Sequence, residues 1–328
     1  MAYQEAVNKR PQVYAPYEST LDDVDLKVAI RELHETDDTR EPSIAQIREF
    51  IAKHPQIVRC RTDPVYLLRF LRYKKFNVTE ACAMLESTLA FFMRMRVLYG
   101  EEIDSFHPNV QGMVDLGVMV PLGYDRNKRV VILNRVGAYP KTTSALMQMR
   151  LGALVISTCL EYEQTQVYGS VWIMDFSGMT MSHVAMWGLT ELKMLADSVN
   201  DIVTMMVKEI HMVLVPKMTW MLIDMVLPLL SPKIRNRFKF HRTLDDLCSA
   251  VDPSILPCEY GGERPLEKAN DDFRAMFDEQ RKWFMLEEHF FMDLTIPAPG
   301  SSSTSTARRN DFRDEESMVG SFRKLTVD

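Results

Sequence analysis

Between Pro216 and Leu230 the chain reads PKMTWMLIDMVLPLL, a run close to membrane-like in composition that nonetheless cannot span a bilayer. A spanning helix needs roughly 20 apolar residues free of charge. This run is shorter, carries Asp224 near its middle and meets Pro228 before it ends. Such a helix must be covered by the fold or must itself cover something. The basic run SPKIRNRFKFHR follows at once, so an apolar helix is joined to a cationic patch, the pairing expected where a protein meets an anionic membrane. Met218, Leu222 and Met225 fall on one face at i, i+4 and i+7, while Lys217, Trp220 and Asp224 mark another. Pro216 and Pro228 bracket the helix as a segment able to move as a unit.

The 328 residues are 46% hydrophobic and 26% charged, enough for one sizeable core and a smaller satellite domain. A net charge of -6 argues against a nucleic-acid partner, because phosphate neutralisation requires a basic face. The five cysteines are scattered and odd in number, which indicates neither a disulfide framework nor a zinc site and fits a reducing cytosol. The polar start MAYQEAVNKRPQVYAPYEST lacks the apolar core of a signal peptide, so a cytoplasmic protein is expected and the sequon at Asn77 is expected to go unused.

Along the chain, residues 1–42 read as a mobile lead-in with one helix from Leu21 to Leu33 and a charged run from Glu32 to Glu41. Residues 43–100 read as a small helical domain. Ser43 caps a helix carrying Ile44, Ile47 and Ile51, Asp63 caps a second with Pro64 at its first position, and Thr79 opens a third. From 101 to 265 strands alternate with helices, the pattern of an α/β fold with buried parallel strands. Two strands are joined by the turn Asp125 to Lys128; a helix from Ser144 to Gln166, the strand SVWIMDF, a helix from Ser182 to Ser198 and the strand EIHMVLV follow. Residues 266–296 hold a C-terminal helix over Asp271 to Glu288 that packs on the core, and 297–328 read as a flexible tail.

No nucleophile elbow, phosphate loop or zinc-protease motif is present, so no catalytic residue, metal ligand or cofactor is assigned and an enzyme is not expected. Asp175, at the end of its strand and before Ser177-Gly178, reads as a turn cap, and His211 as a structural histidine. Methionine is used 23 times, many of them in the second domain, and a thioether-rich lining conforms to a flexible apolar ligand. A cavity lined in part by Met174, Leu195, Ile210, Leu214 and Met221 is therefore expected. Two basic blocks, Arg69, Arg72, Lys74 and Lys75, then Lys233, Arg235, Arg237, Lys239 and Arg242, would make an anion site if they converged.

In order, LLRFLRYKKF, VWIMDFSG, KEIHMVLVP, LSPKIRNRFKFH and LPCEYGG resemble the CRAL-TRIO lipid-binding family, especially its α-tocopherol transfer protein and cellular retinaldehyde-binding protein group, from about Ile44 to Gly262. The most specific pieces are LRFLR with a basic residue two positions on and LP-x-x-YGG, whose glycines permit a tight turn. The closing GSFRKLTVD also looks like tails of transfer-protein-like members. The resemblance implies an N-terminal helical domain and an α/β domain whose mixed, mostly parallel sheet floors an apolar cavity. A mobile gate helix closes the cavity and presents Met218, Leu222 and Met225 to the membrane. It also implies a phosphoinositide headgroup site at Lys74, Lys208, Lys233 and Arg237. Before the EIH strand this chain departs from the pattern, with NDIVTMMVK holding Lys208 alone and Met206 where a second cation would stand. The expected function is a monomeric, soluble carrier of a tocopherol, retinoid or other isoprenoid-like lipid that exchanges cargo at phosphoinositide-containing membranes. The alternatives are a phosphoinositide-sensing adaptor without cargo, and a hydrolase or isomerase for which no acid-base pair can be assembled.

Overall fold

The computed structural model describes residues 6–9, 14, 17–99 and 107–297. The expected tail, apart from Pro297, lies outside the described residues. Helix α1 (Asp23–Val28) opens on Asp22, whose side chain accepts from the Asp25 amide at 2.8 Å, and runs into a π-helical turn at Ala29–Leu33. Ala29 and Leu33 are buried with Leu21 and Val167, so this part of the expected mobile lead-in packs onto the body of the protein. Helix α2 (Asp37–Lys53) begins earlier than Ser43. Thr36 and Thr39 form its capping box, the charged run supplies its first turn, and Pro42 lies inside it.

Helix α3 (Pro64–Tyr73) starts as its sequence dictates: the Asp63 carboxylate accepts from the Tyr66 amide at 3.1 Å and Pro64 takes a position where no amide hydrogen is needed. Helix α4 (Val78–Tyr99) is capped by the Asn77 side chain, which accepts from the Glu80 amide at 3.2 Å. These helices share one core built on Ile44, Ile47, Ile51, Leu67, Phe70 and Leu85.

The α/β part contains α5 (Pro108–Asp115), β2 (Met119–Tyr124), β3 (Val130–Arg135), α6 (Ala145–Leu160), α7 (Glu163–Tyr168), β4 (Ser170–Asp175), α8 (Met181–Ala185), α9 (Leu189–Asp197), β5 (Val207–Val213), α10 (Trp220–Val226), α11 (Pro232–Arg235), β6 (Phe238–His241) and α12 (Leu244–Ala250). Helices α13 (Leu266–Glu279) and α14 (Arg281–Glu287) follow. Strands β2 to β6 form one sheet in sequence order, with β2 and β3 antiparallel and every later pair parallel. A ribbon of β1 (Ile57–Arg59) and β7 (Phe291–Met292) returns the C-terminal part to the helical region.

Three helices read as continuous are broken. The Ser144 to Gln166 stretch ends at Leu160 because the next residue, Glu161, is held by Arg61 at 2.7 Å and Arg69 at 2.6 Å, and Tyr162 is extended. The Ser182 to Ser198 stretch breaks before Gly188, where Glu191 folds back onto the Gly188 amide. The C-terminal helix divides at Gln280, although Phe273, Phe277 and Phe284 all remain buried as the apolar spacing requires. Strand β6, inside the basic run, had no separate sequence signal.

The fully buried Arg72 ties these parts together. Its guanidinium meets Glu35 at 2.7 Å, Glu163 at 2.6 Å and the Gln166 side-chain oxygen at 2.9 Å, joining the N-terminal segment, α3 and α7. At the far end of the α/β part, Gly261 takes φ +85°, and a Cβ on Gly262 would stand 1.7 Å from the Leu256 carbonyl oxygen, so LP-x-x-YGG is a turn that only glycine can close.

Candidate functional site

Alternation along a strand sends neighbouring side chains to opposite faces of the sheet. Trp172 and Met174 of β4, with Ile210 and Met212 of β5, line a mostly apolar cavity of about 450 Å³, while Ile173 and Val213, at the alternate positions of the two strands, belong to the main core. The helical region supplies a second wall through Phe70 of α3 and Phe92 and Met95 of α4. Residues of α10 close it, with Leu222, Ile223 and Val226 against the cavity and Thr219 donating to the Met179 sulfur at 3.3 Å. The far end of this lid is tied down by Asn200, which donates to the Leu229 carbonyl and accepts from the Ser231 amide, both at 2.9 Å.

Of the residues expected to line a cavity, Met174, Leu195 and Ile210 do so. Leu214 does not. It adopts φ +54°, which ends the alternation of β5, and it packs on the main core instead. Met221 is 59% exposed and Leu222 only 8%, the reverse of their expected roles. The cause is local geometry: residues Lys217–Thr219 form a 3-10 turn, so the α-helical phase begins at Trp220 and puts Thr219, Leu222, Ile223 and Val226 inward. Met218 is half-buried in the cluster beneath the lid, whereas Met225 does face outward. Trp220 joins Met225 and Met221 on the outer side and stacks on Phe240 of β6 with ring centroids 5.1 Å apart.

Beside the lid, cations from separate elements gather. Desolvation, then repulsion from Arg237, pulls the Lys208 ammonium below the usual lysine range; Lys233 and Lys75 add to the repulsion and Glu32 offsets it. Lys233 is lowered by desolvation, then by Arg237, Lys75 and Lys74. The structure thus brings together Lys74, Lys208, Lys233 and Arg237, and adds Lys75, whose left-handed backbone (φ +50°) turns the chain after α3. Among the described residues none of the five is ion-paired with a carboxylate. Three other residues of the two basic blocks are paired elsewhere: Arg69 and Arg72 are buried on Glu161, Glu35 and Glu163, and Lys239 pairs with Glu209 at 2.6 Å. Met206, at the position of a missing cation, packs with Leu21, Ala29 and Leu33 and so helps seat the N-terminal segment.

The other polar groups weighed for chemistry are occupied structurally. Asp175 accepts from the amide and hydroxyl of Ser177, each at 2.8 Å, and from the Tyr260 hydroxyl at 2.6 Å, which ties the end of β4 to the YGG turn. His211 is fully buried between Glu209 and His241; desolvation, partly offset by Glu209, lowers its pKa to about 4, so it is neutral at physiological pH. Among the described residues no helix is long and apolar enough to cross a membrane.

Comparison with known proteins agrees with this architecture. Residues 115–262 match the CRAL/TRIO domain. Human Clavesin-2 is 26% identical over 258 residues, covering 78% of this chain and 79% of its own. Clavesin-1 of Xenopus laevis is 25% identical over 71% of each chain, and human Alpha-tocopherol transfer protein-like is 26% identical over 71% of this chain and 68% of its own. The solved structure of Sfh5 aligns with 80% of this chain and all of its own at 12% identity and a TM-score of 0.42. The five-stranded, mostly parallel sheet lies wholly within the residues that match the CRAL/TRIO domain.

Proposed function

We propose that the protein takes a small hydrophobic lipid of the tocopherol, retinoid or other isoprenoid class into its cavity and exchanges it at a membrane bearing phosphoinositide headgroups. The observation that carries this reading is the juxtaposition of an apolar cavity, a lid with an exposed apolar outer face, and five cations without carboxylate partners beside it. A cavity of about 450 Å³ lies in the size range that holds one small ligand. Burial of cargo there gains about 25 cal/mol per Å² of apolar surface, which also makes escape into water slow. A membrane that draws the lid aside supplies the exit. The name of one relative, Alpha-tocopherol transfer protein-like, points to the same class of activity. With Asp175 and His211 both committed to structure, binding rather than catalysis is the reading that the polar groups support.

Substituting Leu195→Trp, which fills the cavity from α9, provides the test. Loading with a fluorescent tocopherol should fall sharply while binding to phosphoinositide vesicles persists. Undiminished loading would contradict the cavity placement. If the parent takes up no lipid yet binds the vesicles, a headgroup-sensing adaptor is the better description.

A further inference from the structure

The chain carries 23 methionines, and the fold sorts them by their access to water. Among the described residues only three are exposed: Met181 at 61%, Met221 at 59% and Met225 at 37%. All three lie at or beside the lid. Met221 and Met225 stand on the outer side of α10, and Met181 opens α8, which packs against the 3-10 turn that leads into α10. Methionines that line the cavity are shielded by contrast. Met95, Met119, Met179 and Met212 are buried, and the Met179 sulfur is further covered by the Thr219 hydroxyl.

Resting on the membrane-exchange reading above, we infer that Met181, Met221 and Met225 form a modification site at which a peroxide reversibly weakens membrane docking. A thioether sulfur open to water attacks one oxygen of hydrogen peroxide. The O–O bond breaks and an S–O bond forms; the sulfur is oxidised by two electrons, and the departing hydroxide takes the proton of the transferred oxygen and leaves as water. The flexible apolar side chain has become a polar one. At a membrane interface that change forfeits part of the free energy gained by the lid's apolar outer face. A methionine sulfoxide reductase restores the thioether, with a pair of thiols oxidised to a disulfide and the oxygen released as water. The cations beside the lid and the exposed Leu189 and Leu229 are untouched, so docking is weakened rather than abolished.

The test treats the full chain with hydrogen peroxide, maps sulfoxides by peptide mass spectrometry and measures binding to phosphatidylcholine vesicles containing phosphatidylinositol bisphosphate. Met181, Met221 and Met225 should be the first of the described methionines to gain oxygen. Vesicle affinity should then fall about tenfold, the loss expected when two or three side chains give up apolar contact, and methionine sulfoxide reductase with dithiothreitol should restore it. The comparison variant combines Met181→Leu, Met221→Leu and Met225→Leu, which keeps apolar bulk without sulfur. Its affinity after peroxide should equal its own value before treatment. Cys258, an exposed thiol, is present in both proteins, so its oxidation cannot account for a difference between them. Earlier oxidation of the cavity methionines, an oxidised parent that binds as before, or an equal loss in the leucine variant would overturn the switch while leaving the exchange reading intact. An untreated parent that ignores the vesicles would overturn that reading and the switch with it.

Discussion

Arg72 and Lys74 stand almost side by side at the end of α3 and meet opposite fates. Arg72 is fully buried, and the fold brings Glu35 and Glu163 to its guanidinium. Lys74 is only half-buried, and the fold brings Lys233 near it and, through Lys233, Arg237 and Lys208. Identical charge thus becomes a structural tie in one place and part of a group of mutually repelling cations in the other. What decides is the sign of the groups delivered by distant parts of the chain. A paired buried charge holds elements together, whereas an exposed group of like charges costs stability that only an anionic partner recovers.

Breaking the paired region should have the largest effect. Arg72→Ala leaves Glu35 and Glu163 buried without a cation and should destabilise the fold by about 3–5 kcal/mol, read as a lower midpoint in urea unfolding. The opposite holds for the unpaired region. Replacing Lys233 and Arg237 together with alanine should weaken binding to phosphoinositide vesicles by about tenfold or more and flatten its salt dependence, without lowering the unfolding midpoint. Lys233→Glu should bind less well than Lys233→Ala, since repulsion is added to lost attraction. A destabilised double variant would show that these cations are structural after all.

The pH profile sharpens the contrast. Lys208 and Lys233 release their protons at a lower pH than ordinary lysines, because desolvation and then Arg237 disfavour the charged form. Vesicle binding should therefore start to fade on raising the pH before the usual lysine range is reached, and phosphate at the site should push the loss to higher pH. The two sides of the lid give a smaller effect. Met221→Asp, at an exposed position, should slow vesicle binding several-fold and leave cargo binding in solution unchanged, while Leu222→Asp puts charge into the cavity and should impair loading. The smallest expected change is a strengthening: Glu32→Ala removes the carboxylate that offsets the charge on Lys208 and should tighten vesicle binding by about twofold.

Local signals were legible in the sequence where the deciding interaction lies within a few residues. Asp63 and Pro64 set the start of α3, and the two glycines after Tyr260 set a turn that no other residue can close. The alternation of β4 and β5 placed Met174 and Ile210 on one face. The lid's facing was not legible, because a single 3-10 turn before Trp220 rotates every later side chain, and three residues of composition do not reveal it. Leu214 was missed for a similar reason, a backbone reversal at one residue. The division of LLRFLRYKKF into buried arginines and more accessible lysines depends on Glu35, Glu161 and Glu163, whose approach is a tertiary fact.

On the proposed reading, cargo in the cavity and the cations beside the lid act in one event. The most direct measurement is the rate at which protein loaded with a fluorescent tocopherol delivers it to vesicles with and without phosphatidylinositol bisphosphate, for the parent and for the Lys233→Ala, Arg237→Ala double variant. The parent should deliver faster to the phosphoinositide vesicles, and that advantage should be lost in the variant while its loading is unchanged. Equal delivery to both kinds of vesicle by the parent would contradict it.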